Sequence, residues 1–177
     1  MSFLCCCGCC GTILRANNKD FNTFGYECFH IGFFFGRIAL AEANLTATTA
    51  ADKGEVFILA PNDGTARAIA DAFGVDTDVT KYYVTGQDAE KASVQYIIDG
   101  KQSMTVWKDV RTLVADAISA AIALLEGNEP ASQGAYDNGA AEIPAIQSAV
   151  TTVDKENVKS TLIDSGYYSA EDFTGLE

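Results

Sequence analysis

Past residue 40 the chain holds no cysteine and no histidine; all six Cys and the single His fall in the first forty of its 177 residues. The body therefore lacks a thiolate nucleophile, an imidazole base and the commonest nitrogen and sulfur metal ligands. It also lacks a Ser in a Gly-x-Ser-x-Gly elbow and any Gly-rich phosphate loop. Paired carboxylates without an activated partner are weak machinery, so no enzyme is expected. Cations are scarce as well: 12 Lys and Arg face 24 Asp and Glu, a net charge of -12. That balance excludes nucleic acid, whose phosphates demand positive side chains. No apolar run approaches the roughly 20 residues of a membrane helix. Phe29 to Phe35 is short and is broken by Gly32. Nor is a secretory signal expected, since no Lys or Arg precedes Arg15 and Cys5 cuts the apolar start short.

What is present divides into two compositions. Residues 1 to 40 carry all the Cys, seven of the ten Phe and a net charge of +1, whereas the rest carries -13. Cys5, Cys6, Cys7, Cys9 and Cys10, with Cys28 and His30 well downstream, do not have the paired spacing of a zinc site. Adjacent cysteines also make a poor disulfide framework. No metal and no cofactor are expected, and residues 1–37 are expected to stand outside the fold formed by residues 38–177.

The acidic body reads as alternating strands and helices. Ile38 to Asn44 resembles the end of an Ala- and Leu-rich helix. Val56 to Ala60 is a continuous apolar run, as in a strand buried on both faces of a parallel sheet. Pro61-Asn62-Asp63-Gly64 ends it, and Thr65 to Phe73 follows as a helix closed by Gly74, with Asp63 placed to cap it. Tyr82 to Thr85 is a second strand, followed by a helix from about Ala89 to Ile98. Ser103 to Trp107 is a third. Behind it, Val110, Leu113, Val114, Ala117, Ile118, Ala121 and Leu125 recur at helical spacing up to Gly127. Three strand-then-helix units imply an α/β class with a parallel sheet and flanking helices. Asn128 to Asn138 reads as loop, Ala141 to Val150 as weakly extended, and Asp154 opens a short helix holding Val158 and Leu162.

In open parallel sheets, ligands bind beyond the carboxyl ends of the strands. Asn62-Asp63, Gln87-Asp88 and Lys108-Asp109 follow the three strands in turn. An amide that donates and accepts, beside a carboxylate that accepts, matches vicinal hydroxyls better than it matches a phosphate. The pattern points to a polyhydroxylated ligand. Simpler roles stand beside this one: Asp63 and Asp88 as helix caps, Lys108 as a solvated strand end, Trp107 as either core or stacking platform.

Three stretches carry a resemblance: Ala60-Pro-Asn-Asp-Gly-Thr-Ala66, Val84-Thr-Gly-Gln-Asp-Ala-Glu90 and Gln102-Ser-Met-Thr-Val-Trp-Lys108. In this order and spacing they resemble the periplasmic sugar-binding proteins of ABC transporters, in particular the xylose and multiple-monosaccharide binders. Tyr136-Asp-Asn-Gly139 with Pro144, and Leu162 to Tyr168, look like the end of the same family. The resemblance implies part of a type I periplasmic-binding-protein fold, two α/β lobes closing on one sugar. It implies that Asn62, Asp63 and Asp88 bond sugar hydroxyls, with Gln87 and Lys108 near the cleft or hinge. It further implies a monosaccharide of the xylose, glucose, galactose or arabinose class, a permease partner and a periplasmic site of action. Only the C-terminal half is recognisable, so truncation and weak sugar binding are expected, with an uncovered apolar stripe on the helix from Val110. The alternative is the sugar-effector domain of a repressor-type transcription regulator. It needs a basic helix-turn-helix, a pattern residues 1 to 40 do not show.

Overall fold

The computed structural model describes residues 10–16, 26–30 and 36–176. Strands β1 (Cys10–Ala16) and β2 (Tyr26–His30) come first, then helices α1 (Gly36–Ala47) and α2 (Ala50–Lys53). β3 (Glu55–Leu59), α3 (Asp63–Gly74), β4 (Lys81–Val84), α4 (Lys91–Ile98), β5 (Thr105–Lys108) and α5 (Val110–Leu125) alternate as the sequence predicts. β6 (Gly134–Asp137), β7 (Glu142–Ala145) and β8 (Val150–Val153) precede a single π-helical turn, Lys159–Ile163, and a 3-10 turn, Ala170–Asp172. The chain forms two compact units. One comprises residues 1–106 and 152–177, the other residues 107–151.

The larger unit is built on a sheet of order β2-β1-β3-β4. β3 and β4 are parallel, with Val56 opposite Tyr82 and Ile58 opposite Val84. The third strand of the expected parallel set joins just beyond β4, through a parallel bridge between Gln87 and Val106. β5 itself pairs with β8. Parts of the cysteine-rich segment take the other edge: β1 runs antiparallel to β3, with Leu14 opposite Phe57, and β2 pairs with β1. An edge strand offers a row of unpaired N–H and C=O groups that an extended segment can satisfy. The run Cys5 to Cys9 and residues 31–35 of the Phe-rich patch lie outside the described residues, as do the side chains of Cys10, Cys28 and His30.

One core organises this unit. Val56 and Ile58 of β3, Val84 of β4, Ala41 and Leu45 of α1, and Ala66, Ile69, Ala70 and Phe73 of α3 are buried together. The α3 residues fall at three- and four-residue steps, so one face of the helix meets the sheet. Each large side chain buried there contributes about 1.5–3 kcal/mol. β3 is not buried on both faces, contrary to the sequence reading. Phe57 and Leu59 alternate outward, 42% and 44% exposed, and Phe57 stacks on Tyr83 at 4.6 Å between ring centroids. Continuous apolar sequence therefore conceals a period-two strand here. Ala89, Val94, Ile97, Ile98, Val153, Val158, Leu162 and Phe173 complete the buried set, so the last residues of the chain finish the unit begun by the first.

The smaller unit contains α5 and an antiparallel hairpin of β6 and β7. β6 replaces the loop expected over Asn128 to Asn138; its turn signal, Asp137-Asn138-Gly139, is a hairpin marker. α5 begins and ends where its periodicity places it. Asp109 caps it by accepting a hydrogen bond from Arg111 N at 3.0 Å. None of its residues is buried, and Leu113, Val114, Ile118 and Ile122 are about half exposed. The expected uncovered stripe is present. No helix among the described residues is long and apolar enough to cross a membrane.

Candidate functional site

Four of the five candidate residues sit at the carboxyl ends of β3 and β4 in the larger unit. Asn62, half-buried, is the N-cap of α3: its side-chain oxygen accepts from Thr65 N at 2.9 Å and from the Thr65 hydroxyl at 2.8 Å. The cap is therefore Asn62 and not Asp63, which occupies the first turn. An Asn in extended backbone, with Thr three residues on, reaches that amide directly. Asp63 N donates to Gln87 O at 2.9 Å, which ties the end of β3 to the end of β4. Gln87 is half-buried, and Asp88 is exposed.

Asp63, for which the resemblance implies a sugar contact, is the one fully buried residue of the five candidates, with 0% of its surface exposed. Its Oδ2 accepts from Glu90 N at 2.7 Å and its Oδ1 from Gln102 Nε2 at 2.9 Å. Both oxygens are spent on the protein. Burial raises its pKa above the ordinary carboxylate value, while bonds from Gln102, Thr105 and the Glu90 amide oppose the rise. Gln102 also donates to Met104 O at 3.0 Å, and its Oε1 is buried with no hydrogen-bond partner among the described residues. Flipping the amide would set that oxygen against the carboxylate, so the orphaned acceptor is the smaller penalty.

The site depends on Gly86. A Cβ there would fall well inside contact distance of Asp63 Oδ1 and Gln102 Nε2, and 3.3 Å from Asp63 Cγ. Only a residue with no side chain lets β4 pass this close to the buried pair.

Asp88 and Ala89 adopt positive φ, 102° and 50°. For residues with a Cβ this conformation is strained. α4 consequently starts at Lys91 rather than near Ala89. Four hydrogen bonds hold the turn. Asp88 N donates to Val106 O at 2.9 Å and Ala89 N to the Thr105 hydroxyl at 3.1 Å. The Tyr168 hydroxyl donates to Ala89 O at 2.9 Å, and Glu90 N donates to Asp63. Arg67 adds an ion pair with Glu90 at 2.7 Å and a bond to the Ser93 hydroxyl at 2.8 Å, joining α3 to the start of α4.

Lys108 closes β5 in the smaller unit and is half-buried, as is Trp107 beside it. The structure therefore groups Asn62, Asp63, Gln87 and Asp88 in the larger unit, and Lys108 belongs to the smaller one. Sequence reasoning missed Gly86, Gln102, Thr105 and Tyr168. Gly86 carried a signal, a glycine directly after a strand, whereas the other three look like ordinary polar positions. Among the described residues, no group of three or more His, Cys, Asp or Glu is arranged to hold a metal ion.

The chain has counterparts among solved structures. The chain is 71% identical to a carbohydrate transporter solute binding protein from Chloroflexus aurantiacus, solved in complex with D-glucose. That match covers 81% of this chain and 42% of the other, with a TM-score of 0.77. A solute binding protein from Clostridium phytofermentans with bound β-D-glucose is 28% identical over 81% of this chain and 44% of its own, with a TM-score of 0.65. The multiple sugar-binding periplasmic receptor ChvE of Rhizobium radiobacter is 37% identical over 120 residues, 64% of this chain and 34% of that one. The D-xylose-binding periplasmic protein of Escherichia coli is 32% identical over 111 residues, 63% of this chain and 34% of that one. The chain thus spans about a third of the length of these two receptors. Residues 38–129, just over half of the chain, match the periplasmic binding protein domain, and the chain belongs to that family.

Proposed function

We propose that this chain supplies the sugar-contacting strand ends of a solute-binding component of a sugar ABC transporter. In this reading Asn62, Gln87 and Asp88 hydrogen-bond the hydroxyls of a monosaccharide of the glucose or xylose class. Lys108 lies close to the bound sugar. The observation that carries the reading is the 71% identity, over 81% of this chain, to a protein solved with D-glucose. The chemistry supports it: an exposed carboxylate and a half-buried amide on tied strand ends offer acceptors and donors in the mixture that vicinal hydroxyls require. Delivery to a membrane permease, action in the periplasm and the absence of catalysis follow from the same reading, as does closure of two lobes on the ligand.

Titration of the isotopically labelled chain with D-glucose and D-xylose, followed by nuclear magnetic resonance, tests it. The expected result is sugar-dependent shifts at Asn62 and Asp88, with a dissociation constant on the order of 1 mM because few contacts contribute. Shifts absent at every sugar concentration, or confined to residues far from these two, would overturn the reading.

A further inference from the structure

We propose that Asp63 is a positioning residue: through Glu90 N it closes the left-handed turn at Asp88 and Ala89, and so fixes the direction in which Asp88 leaves the sheet. The inference rests on the sugar-binding reading of Asp88 and assigns to Asp63 a role distinct from touching the sugar.

The geometry carries it. Two consecutive non-glycine residues at positive φ cannot persist on their own preference, and the surrounding structure must overdetermine them. Around this turn four main-chain groups are bonded: Asp88 N, Ala89 N, Ala89 O and Glu90 N. Of the partners, only Asp63 is a buried ionisable side chain, and its bond is the shortest, 2.7 Å. A carboxylate accepting a main-chain N–H in a water-excluded place makes a stronger bond than a hydroxyl would. Asp63 is itself held twice more, by Gln102 Nε2 and by its own N–H to Gln87 O. The carboxylate therefore transmits the position of the β3 end to the turn beyond β4. Such a brace fixes a ligating carboxylate in advance, so that binding does not have to order it.

Amide hydrogen exchange on the full chain, free and with D-glucose, separates this proposal from the reading beneath it. In the sugar-free arm, Asp63→Asn sets an amide donor against one of the two N–H groups. It should speed exchange at Ala89 and Glu90 by about tenfold or more, leaving Val56 and Ile58 protected. Tyr168→Phe, which removes only one hydroxyl from the same turn, should speed Ala89 and Glu90 by a smaller factor, and it keeps the test open if Asp63→Asn fails to fold. Asp88→Asn keeps a residue type that tolerates positive φ and should leave those exchange rates nearly unchanged while weakening the sugar-dependent shifts. In the sugar arm, Asp63→Asn should weaken the glucose response at position 88 about as strongly as Asp88→Asn does. Unchanged exchange at Ala89 and Glu90 in Asp63→Asn, or a smaller change there than in Tyr168→Phe, would overturn the brace. A wild-type chain that ignores glucose while the exchange pattern holds would sink the sugar reading alone.

Discussion

Gly86→Ala is the smallest substitution that interrogates the buried centre of the site. The added methyl overlaps Asp63 Oδ1 and Gln102 Nε2 and sits 3.3 Å from Asp63 Cγ. It cannot be relieved by turning a flexible chain end outward, because Asp63 is fully buried and tethered through both oxygens. Either the carboxylate or the β4 backbone must move. Moving the carboxylate strains or breaks bonds of 2.7 Å to Glu90 N and 2.9 Å to Gln102 Nε2. Each buried partner left unmatched costs about 1–3 kcal/mol. Forcing a methyl into packed space costs about 1–3 kcal/mol more. With one of these bonds lost, the expected loss is therefore about 2–6 kcal/mol, a large share of the roughly 5–15 kcal/mol that holds a small domain together. Urea unfolding followed by far-ultraviolet circular dichroism measures it. A double-mutant cycle with Asp63→Ala sharpens the assay. With the carboxylate gone, only Gln102 Nε2 still meets the methyl and its amide can shift into the vacated space, so Gly86→Ala should then cost less by about 1–3 kcal/mol. If Gly86→Ala alone costs under about 1 kcal/mol, or the same amount with and without Asp63, the close approach does not bear on stability and the reasoning fails.

Other measurements bear on other parts of the molecule. Asn62→Ala removes the α3 cap and should lower stability by about 1 kcal/mol in the same urea assay, whereas Asn62→Asp, itself a good cap, should recover most of it. The half-exposed stripe of Leu113, Val114, Ile118 and Ile122 should make the chain associate in a concentration-dependent way, and Val114→Glu with Ile118→Glu should suppress this in sedimentation velocity runs. Lys53 bonds Asp76 at 2.7 Å and holds its pKa below the ordinary carboxylate value. The stability that Asp76 contributes is thus complete above pH 3.8 and is lost as pH falls through its depressed folded value. Lys53→Met should flatten this acid limb in urea midpoints taken across the acid range, and an unchanged limb would refute the pairing. Asp63 works in the opposite sense. Its folded pKa is raised, so the cost of burying its charge is absent below pH 3.8 and grows as pH rises through that folded value.

The periodic parts of the chain were legible from sequence because one physical rule dominated each. α5 follows its apolar spacing from Val110 to Leu125, with a capping Asp109 before it and Gly127 behind. β3, β4 and β5 lie within one or two residues of their apolar runs. Legibility failed where a distant partner overrode a local preference. Ala89 is a good helix former, yet bonds from Thr105 and Tyr168 hold it at positive φ, and no glycine marks the place. Asp63 looks like a surface cap because nothing nearby shows that Gln102, 39 residues on, will close over it. For the candidate site, the strand ends could be named from order and spacing alone. Which carboxylate faces outward and which is buried was decided by tertiary packing.

The larger unit also has a discontinuous chain, left at Val106 and resumed at Thr152. During synthesis, α3 and α4 leave the ribosome well before Val153, Leu162 and Phe173, the residues that finish burying their surroundings. Tyr168 follows the Ala89 carbonyl it bonds by 79 residues. A nascent chain stalled after α5 would hold Asn62 and Asp88 in sequence but would still lack one of the four ties on the turn at Asp88 and Ala89. Assembly of the site is in this sense a late event, completed only when the chain has been made through Tyr168.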